Sequence, residues 1–198
     1  TVVDMSTISA TATRAMAKRL EPYGIELVDA PVSGGTIGAI NGTLTIMVGA
    51  SQTTFDRVKP LLSHMGKSIT RIGDTGAGQV AKSCNQIVVT GTIMAVAEAF
   101  QFAKAAGVDP TPIREALLGG FAGSRILEVH GNRMITGDYA PGFKTVLHKK
   151  DMGIVHDIAQ ELHLNAPVSE IGLDMLNRAV DKGYGELDSS ALFKLGEQ

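Results

Sequence analysis

Two residues near the middle of the chain have the types and the spacing to act on a substrate. Lys82 and Asn85 lie in "GAGQVAKSCNQIVV", close to one helical turn apart, at the start of a long apolar segment. From residue 83 to residue 103 the only acidic or basic side chain is that of Glu98. An ammonium group and an amide at this spacing can donate hydrogen bonds to a carbonyl or a carboxylate. The pair therefore raises the question of what the lysine faces.

The helical pattern gives Lys82 two possible environments. It shares a helix face with Gly78, Asn85 and Val89. Burying an unpaired ammonium group is very costly, so the amine must reach water, an anion or a substrate. Because most lysines extend their charged end into water, the spacing alone favours a solvated lysine over a catalytic one.

The segment "DAPVSGGTIGAINGT", residues 29–43, is the second candidate. A predicted strand ends at Pro31 and is followed by Ser33, Gly34 and Gly35, and open α/β sheets bind ligands at the carboxyl ends of their strands. Consecutive glycines allow several backbone N–H groups to point at one anion, which suits a carboxylate or a phosphate. An ordinary turn between strands has a similar composition, so this loop alone does not decide the matter.

A second lysine is the third candidate, within "PGFKTVLHKKDMGIVHDIAQEL" at residues 141–162. Lys150 falls on an apolar stripe with helical spacing. The stripe comprises Leu147, Ile154, Ile158 and Leu162. A cation on such a face indicates either an Asp or Glu partner on another helix or a bound ligand. The adjacent Lys149 lies off the stripe and is expected to be solvated.

Composition and charge exclude several classes of protein. Of the 198 residues, 44% are hydrophobic and 19% charged, and the formal net charge is −2, which is an ordinary globular balance. The longest basic run is Lys149-Lys150, so neither nucleic acid nor a membrane surface is an expected partner. The histidines show no HxxxH or HExxH spacing, so no metal site is predicted.

The single cysteine and the apolar runs bear on the compartment. Cys84 cannot form an intramolecular disulfide, which favours a reducing compartment such as the cytoplasm. We expect it to be a small buried residue and not a nucleophile. The longest apolar run, residues 87–100, is predicted to be too short and too interrupted to span a bilayer.

The elements that must position these groups fall into two parts. Strands are predicted at residues 2–5, 25–30, 44–48 and 69–72, with helices at 9–22 and 52–65 between them. This alternation indicates a mostly parallel sheet. Further helices are predicted at residues 77–106, 112–118, 124–134, 146–163, 168–182 and 189–195. The predicted domains are therefore 1–73, which is α/β, and 74–198, which is all-α and built on one helix about 45 Å long.

Four motifs in this order resemble the β-hydroxyacid dehydrogenase family, which includes 3-hydroxyisobutyrate dehydrogenase. They are D-x-S-T at residues 4–7, D-A-P-V-S-G-G at 29–35, G-x-G-x-x-x-K-x-x-N at 76–85 and F-x-x-x-x-x-x-K-D at 143–151. Residues 119–134 and 141–151 are most similar to the tartronate semialdehyde reductase branch. The resemblance implies a remnant of a Rossmann domain, followed by an all-α domain like the C-terminal domain of 6-phosphogluconate dehydrogenase.

The resemblance also implies roles for individual residues. Lys82 would be catalytic. The substrate would be bound by Ser33, Gly34, Gly35 and Asn85, and the cofactor would be contacted by Thr7, Phe143 and Lys150. The implied reaction is the NAD(P)-dependent reduction of a short semialdehyde acid, tartronate semialdehyde to D-glycerate, with NADH favoured. The apolar surface of the helical part and its truncated sheet partner separately predict self-association, as a homodimer or homotetramer. An unperturbed lysine, with a pKa of about 10.4, is protonated at pH 7 and can give a proton to the nascent alkoxide.

Two alternatives and one departure from the family pattern accompany this interpretation. Another substrate of the family, such as 3-hydroxyisobutyrate, is one alternative. The other is a non-catalytic helical dimerisation module in which Lys82 is a bystander. The G-x-G-x-x-G fingerprint does not occur, and the chain opens in a β-branched run without an initiator methionine. We therefore expect a piece of a longer protein that turns over little or no substrate on its own.

Overall fold

The computed structural model describes residues 1–196, which group into two compact units that divide between Asn85 and Gln86. The first unit combines a five-stranded sheet with helices, and the second is mainly helical. The predicted fold class, an α/β part followed by an α-helical part, is confirmed. The first turns of the long helix group with the sheet, and the predicted domain boundary at residue 73 stays a prediction.

The sheet is mixed, whereas the sequence predicted a mostly parallel one. Its strands are β1 (Val2–Asp4), β2 (Leu27–Asp29), β3 (Val32–Ser33), β4 (Leu44–Gly49) and β5 (Gly66–Gly73). Strand β4 is parallel to β5 and antiparallel to β3, and it meets β2 antiparallel at the pair Asp29–Gly49. Only β1 and β2 form the other parallel pair among the described strands. The reason is that β2 runs on through Ala30-Pro31 into β3, without a crossover helix.

The helices of the first unit are α1 (Ala10–Leu20), α2 (Gly35–Ile40), α3 (Gln52–Leu62) and the start of α4 (Ala77–Ala105). The hydroxyl oxygens of Ser9 and Ser51 accept backbone N–H bonds at the starts of α1 and α3. Such caps each stabilise a helix by about 1 kcal/mol. The core of this unit alternates inward along β4 and continues on α3. Its buried residues include Val28, Leu44, Ile46, Val48, Phe55 and Leu62.

Helix α2 and strand β3 occupy a stretch that the sequence predicted to be a loop. Gly35 and Gly38 give α2 a weak intrinsic helix propensity. Close packing favours glycine at position 38, because an added Cβ would lie 3.1 Å from Leu44 Cδ2 and the leucine would have to shift. Tertiary packing, and not local propensity, accounts for this short helix.

The helices of the second unit pack against the remainder of α4. They are α5 (Pro110–Leu118), α6 (Arg125–Thr136), α7 (Thr145–Glu161) and α8 (Pro167–Asp181), with a 3₁₀ helix at Ser189–Gly196 where a helix was predicted. The core of this unit is centred on α4. Its fully buried members include Ile93, Phe100, Met152, Leu176, Leu192 and Phe193.

Helix α4 is not buried on all sides, although it is apolar over most of its length. Ile93 and Phe100 are fully buried, whereas Val88 is 67% and Phe102 75% exposed. Cys84 is also exposed, so the prediction that it is buried is wrong. Within residues 1–196, α4 is the one helix long and apolar enough to cross a membrane by composition, a criterion that core helices also meet.

Candidate active site

The amine of Lys82 lies inside the first unit and not in bulk water. Lys82 is only 8% exposed, and its Nζ donates a hydrogen bond to the carbonyl oxygen of Val32 at 2.9 Å. The solvated environment that spacing alone favoured is therefore wrong. Because Val32 directly precedes Ser33 on β3, the structure brings the lysine beside the predicted substrate loop.

The loop itself has the backbone freedom that the sequence predicted. Gly34 has φ 131° and Gly35 has φ 60°, which side chains rarely adopt. A Cβ on Gly34 would also lie 3.2 Å from Leu44 Cδ2. Ser33 is half-buried at the end of β3, and the two glycines are exposed. The turn can therefore present backbone and hydroxyl donors to a small ligand.

A buried carboxylate fixes the start of α4 against the sheet. Asp29 is fully buried, with Oδ1 accepting from Gly76 N at 2.6 Å and Oδ2 accepting from Gln79 N at 2.9 Å. Burial raises the pKa of Asp29, and these backbone donors oppose that rise. Gly78 allows the close approach, because a Cβ there would lie 2.4 Å from the Met47 carbonyl oxygen.

This turn has a spacing that the sequence analysis passed over. Residues 76–81 read GAGQVA and join β5 to α4, which is the G-x-G-x-x-A form of a dinucleotide-binding turn. In such turns a phosphate group accepts from the N–H groups at the helix start. Here the Asp29 carboxylate accepts from them instead.

The loop after β1, which carries Thr7, is tied to α4 by one amide. Gln79 Nε2 donates to Ser6 O at 2.8 Å, and Ile8 N donates to Gln79 Oε1 at 3.3 Å. A third hydrogen bond, from Ser6 N to Asp4 Oδ1, closes the turn at the end of β1. The half-buried Thr7 thus sits between two residues that Gln79 holds.

Four buried polar residues follow one face of α4 at spacings of three, four and four. They are Gln79, Lys82, Gln86 and Thr90. Only the lysine was predicted from the sequence as a site residue, although the other three share its helical period. Asn85, half-buried, lies close to one turn beyond Lys82 on the same helix.

In the second unit, His148 is fully buried and hydrogen-bonded through both ring nitrogens. Its Nε2 lies 2.7 Å from Thr90 Oγ1, and its Nδ1 lies 2.9 Å from Ser189 Oγ. The Thr90 hydroxyl donates to Gln86 O at 2.7 Å, so it accepts from His148 Nε2–H. The Ser189 hydroxyl lies 2.9 Å from His148 Nδ1 and donates to the Phe143 carbonyl oxygen at 3.1 Å.

Lys150 has an anionic partner, but not the one expected. Its Nζ lies 2.9 Å from Oδ1 of Asp151, the next residue on α7, and its side chain is half exposed. The predicted apolar stripe is also wrong, because Leu147 and Leu162 are exposed. The buried face of α7 instead comprises Thr145, His148, Asp151, Met152, Val155 and Ala159. Its polar members are satisfied by hydrogen bonds, as Asp151 is by Gln86 Nε2 at 2.8 Å.

Phe143 is positioned by a second buried carboxylate. Asp188 Oδ2 accepts from Gly142 N at 3.0 Å and from Phe143 N at 3.1 Å, and it lies 3.4 Å from Arg133 Nη1. Burial alone would raise the pKa of Asp188, but hydrogen bonds, chiefly from Ser190, lower the pKa below its usual value. The Phe143 ring packs 5.3 Å, centroid to centroid, from the His148 ring.

Two family models match the chain. Residues 76–196 match the model described as "NAD-binding of NADP-dependent 3-hydroxyisobutyrate dehydrogenase", and residues 1–73 match the "NAD binding domain of 6-phosphogluconate dehydrogenase". Together they cover both parts of the chain with NAD-binding models.

Individual relatives agree with these models. The 2-hydroxy-3-oxopropionate reductase of Escherichia coli is 50% identical over 97% of this chain and 66% of its own length. The 2-(hydroxymethyl)glutarate dehydrogenase of Eubacterium barkeri is 38% identical over 100% of this chain and 66% of its own. The 3-hydroxyisobutyrate dehydrogenase of Mycobacterium tuberculosis, solved with L-serine, superposes with a TM-score of 0.90 at 34% identity, and the match covers 99% of this chain and 69% of the solved one. The chain thus spans about two thirds of the length of these proteins.

The residues present fit one edge of a nicotinamide dinucleotide. The loop after β1 stands at the carboxyl end of a parallel strand, where such cofactors bind, and hydrogen bonds to Gln79 hold its backbone. The similar turn at residue 76 binds Asp29, so within the described residues it does not offer its donors to a phosphate.

Proposed function

Because this chain belongs to the NAD-binding 3-hydroxyisobutyrate dehydrogenase family, we propose that the protein containing it reduces a short semialdehyde acid, converting tartronate semialdehyde to D-glycerate. The observation that carries the proposal is the buried amine of Lys82, 2.9 Å from the carbonyl oxygen that precedes the Ser33 turn. The choice of substrate is supported by the 50% identity to a 2-hydroxy-3-oxopropionate reductase.

In the proposed reaction Lys82 is the general acid. Bound NAD(P)H supplies a hydride to the aldehyde carbon when the cofactor is present. The protonated amine of Lys82 stabilises the negative charge that develops on the carbonyl oxygen and then gives it a proton. A site with little water strengthens this electrostatic effect, and Lys82 is only 8% exposed.

The substrate carboxylate would be bound by the turn beside the lysine. The Ser33 hydroxyl and the backbone N–H groups of Gly34 and Gly35 are the proposed donors. Asn85, one turn beyond Lys82, would hydrogen-bond the substrate. In this proposal the substrate carboxylate binds at the turn and the reacting carbonyl faces Lys82, which suits a short acid of three or four carbons.

Three residues are proposed to contact the nicotinamide cofactor. Thr7 is the first, on the loop after β1. Phe143 and Lys150, on the second unit, are the others. Asp188 fixes the backbone of Phe143, and Asp151 pairs with Lys150. The cofactor is NAD or NADP, and we favour NADH.

The lysine's role is tested by substitution in the full-length enzyme. We expect Lys82→Met to lower kcat about 100- to 10,000-fold, the range for loss of a general acid. Lys82→Arg keeps a cation and a donor for Val32 O, and it controls for folding. Lys67→Met, at an exposed position of β5, is the matched control and should leave kcat unchanged. Normal turnover by a folded Lys82→Met variant would contradict the proposal and favour the non-catalytic helical module.

Substrate choice is tested by a panel. Tartronate semialdehyde should give the highest kcat/KM when compared with 3-hydroxyisobutyrate, threonate and 2-(hydroxymethyl)glutarate, each assayed in its own direction. A higher kcat/KM for 3-hydroxyisobutyrate would assign the protein to the other branch of the family, without removing the role of Lys82. The isolated 198-residue chain should oxidise NADH slowly or not at all.

The protein is also proposed to self-associate, as a dimer or a tetramer. Val88, Ala95 and Phe102 recur every seven residues on α4 and are exposed. A heptad spacing with apolar side chains is the pattern by which helices pack against one another. The proposed occupant of this face is α4 of a second copy, because the small Ala95 leaves room for a large side chain such as Phe102.

A further inference from the structure

Gln79 occupies a position that links the two loops of the proposed site. Its side chain is 1% exposed and hydrogen-bonds the backbone on both sides of Thr7, at Ser6 O and Ile8 N. Its backbone N–H donates to Asp29 at the end of β2. A primary amide suits this position, since it carries one acceptor and two donors in a single plane.

The same residue belongs to the helix that carries the proposed general acid. Lys82 follows Gln79 by three residues on α4, and its Nζ contacts Val32 O beside Ser33. The first two turns of α4 therefore hold the loop after β1 through Gln79 and the Ser33 loop through Lys82. The Ser83 hydroxyl, which donates to Gln79 O at 3.0 Å, adds a bond within these turns.

We propose that Gln79 is a positioning residue that sets the distance between the Thr7 loop, on the cofactor side, and Lys82. The proposal rests on the proposed function, because it assigns the Thr7 loop to the nicotinamide cofactor. Two backbone groups of the loop, Ser6 O and Ile8 N, are both bonded by this one amide. Without the amide, the bonds to Ser6 O and Ile8 N disappear together, and the loop samples conformations that do not bind cofactor.

The experiment measures cofactor affinity separately from catalysis in the full-length enzyme. NADH and NADPH are titrated by fluorescence into wild type, Gln79→Met and Gln79→Glu, well below each variant's Tm. Gln79→Met keeps the shape of the side chain and removes both bonds. Gln79→Glu keeps an acceptor for Ile8 N and loses the donor to Ser6 O. Ser83→Ala, which removes a bond within α4 alone, is the matched control.

We expect Gln79→Met to raise the Kd of the preferred coenzyme at least tenfold, with a smaller rise for Gln79→Glu and none for Ser83→Ala. The KM of the acid substrate should change less than about threefold at saturating coenzyme, while kcat falls less than in Lys82→Met. A lower Tm with unchanged Kd would reduce Gln79 to a structural residue and overturn the proposal. If Gln79→Met does not fold, the Kd of Gln79→Glu decides in the same way.

The two proposals fail differently. A wild-type enzyme that binds neither coenzyme would overturn the proposed function and the role of Gln79 with it. A wild type that binds coenzyme and a Gln79→Met variant with the same Kd would overturn only the role of Gln79.

Discussion

The carboxylate of Asp29 and the backbone N–H of Gly76 are joined by a 2.6 Å hydrogen bond at the start of α4. The other carboxylate oxygen accepts from Gln79 N at 2.9 Å. A single buried side chain on β2 therefore satisfies two of the N–H groups that a helix start leaves without intrahelical partners. Since Lys82 follows within two turns on α4, the Asp29 carboxylate also helps to position Lys82, the proposed general acid.

Replacing Asp29 by alanine should destabilise the protein. Gly76 N and Gln79 N would lose a buried acceptor, and each unsatisfied group costs about 1–3 kcal/mol. We expect the free energy of unfolding to fall by about 2–4 kcal/mol, as measured by urea denaturation of the full-length enzyme. Asp74→Ala is the control, because Asp74 is largely exposed and its pairing with Arg71 is at the surface. Equal stability of the two variants would contradict the anchoring role.

Substituting Gly34 should damage substrate binding more than folding. Alanine at φ 131° is strained, at a cost of about 1–3 kcal/mol, and its Cβ would press on Leu44. We expect Gly34→Ala to raise the KM of the acid substrate at least tenfold as the turn shifts. Gly153→Ala on α7, where an added Cβ meets nothing within 4 Å, should leave KM unaltered. A normal KM in Gly34→Ala would remove this turn from the substrate site.

Thr90→Val should destabilise the second unit through His148. The valine keeps the shape of the threonine but leaves His148 Nε2–H without its acceptor at 2.7 Å, in a fully buried position. The expected loss is about 1–3 kcal/mol in denaturation experiments. Thr92→Val, two residues along the same helix, removes an exposed bond to Val88 O and should cost less than about 0.5 kcal/mol. Similar losses in both variants would argue against the buried network.

Stability should depend on His130 as the pH falls below neutrality. Burial lowers the pKa of His130 below 6.5, although Asp188 opposes the shift. The folded protein then binds a proton less readily than the unfolded chain. The contribution is therefore fully present above pH 6.5 and is lost as the pH falls through the folded pKa. We expect an NMR titration to give His130 a pKa below 6.5, and His130→Asn to flatten the loss of Tm between pH 7.5 and 5.5. A titration at or above 6.5 would contradict this.

Charge on the exposed face of α4 should disrupt self-association. Phe102 is 75% exposed at one end of the row formed by Val88, Ala95 and Phe102, so Phe102→Asp would place a carboxylate in the proposed contact between two copies. We expect the assembly to dissociate to smaller species in sedimentation velocity. Phe121→Asp, at a fully exposed loop position, is the control for the loss of an aromatic ring. An unchanged oligomer in Phe102→Asp would exclude this face.

Long periodic segments and ordered motifs were predictable from the sequence. The helix at α4 was predicted within one residue at its end, because an apolar run bounded by glycines leaves few alternatives. The family was predicted from four motifs and is confirmed. The helix α2 was missed, because two glycines weaken its local signal and its packing against Leu44 cannot be read from sequence.

Side-chain environment was harder to predict than secondary structure. Lys82 is buried although most lysines are solvated, because its amine donates a hydrogen bond to a carbonyl oxygen on β3. The buried face of α7 was misassigned, since its polar residues are satisfied by partners distant in sequence, such as Gln86 and Ser189. Gln79 carried no motif of its own, and its role depends on a loop more than seventy residues earlier.

The position of the Asp29 carboxylate at the GAGQVA turn has a practical consequence for protein engineering. The turn has the spacing of a dinucleotide-binding turn, but its N–H groups would become available to a phosphate only if Asp29 were replaced. The space would also have to be enlarged, because Gly78 already packs closely against the Met47 carbonyl oxygen. Replacing Asp29 would also remove two hydrogen bonds that hold the start of α4, the helix that carries Lys82. Designers who wish to alter coenzyme preference should therefore leave this corner of the molecule intact and work elsewhere.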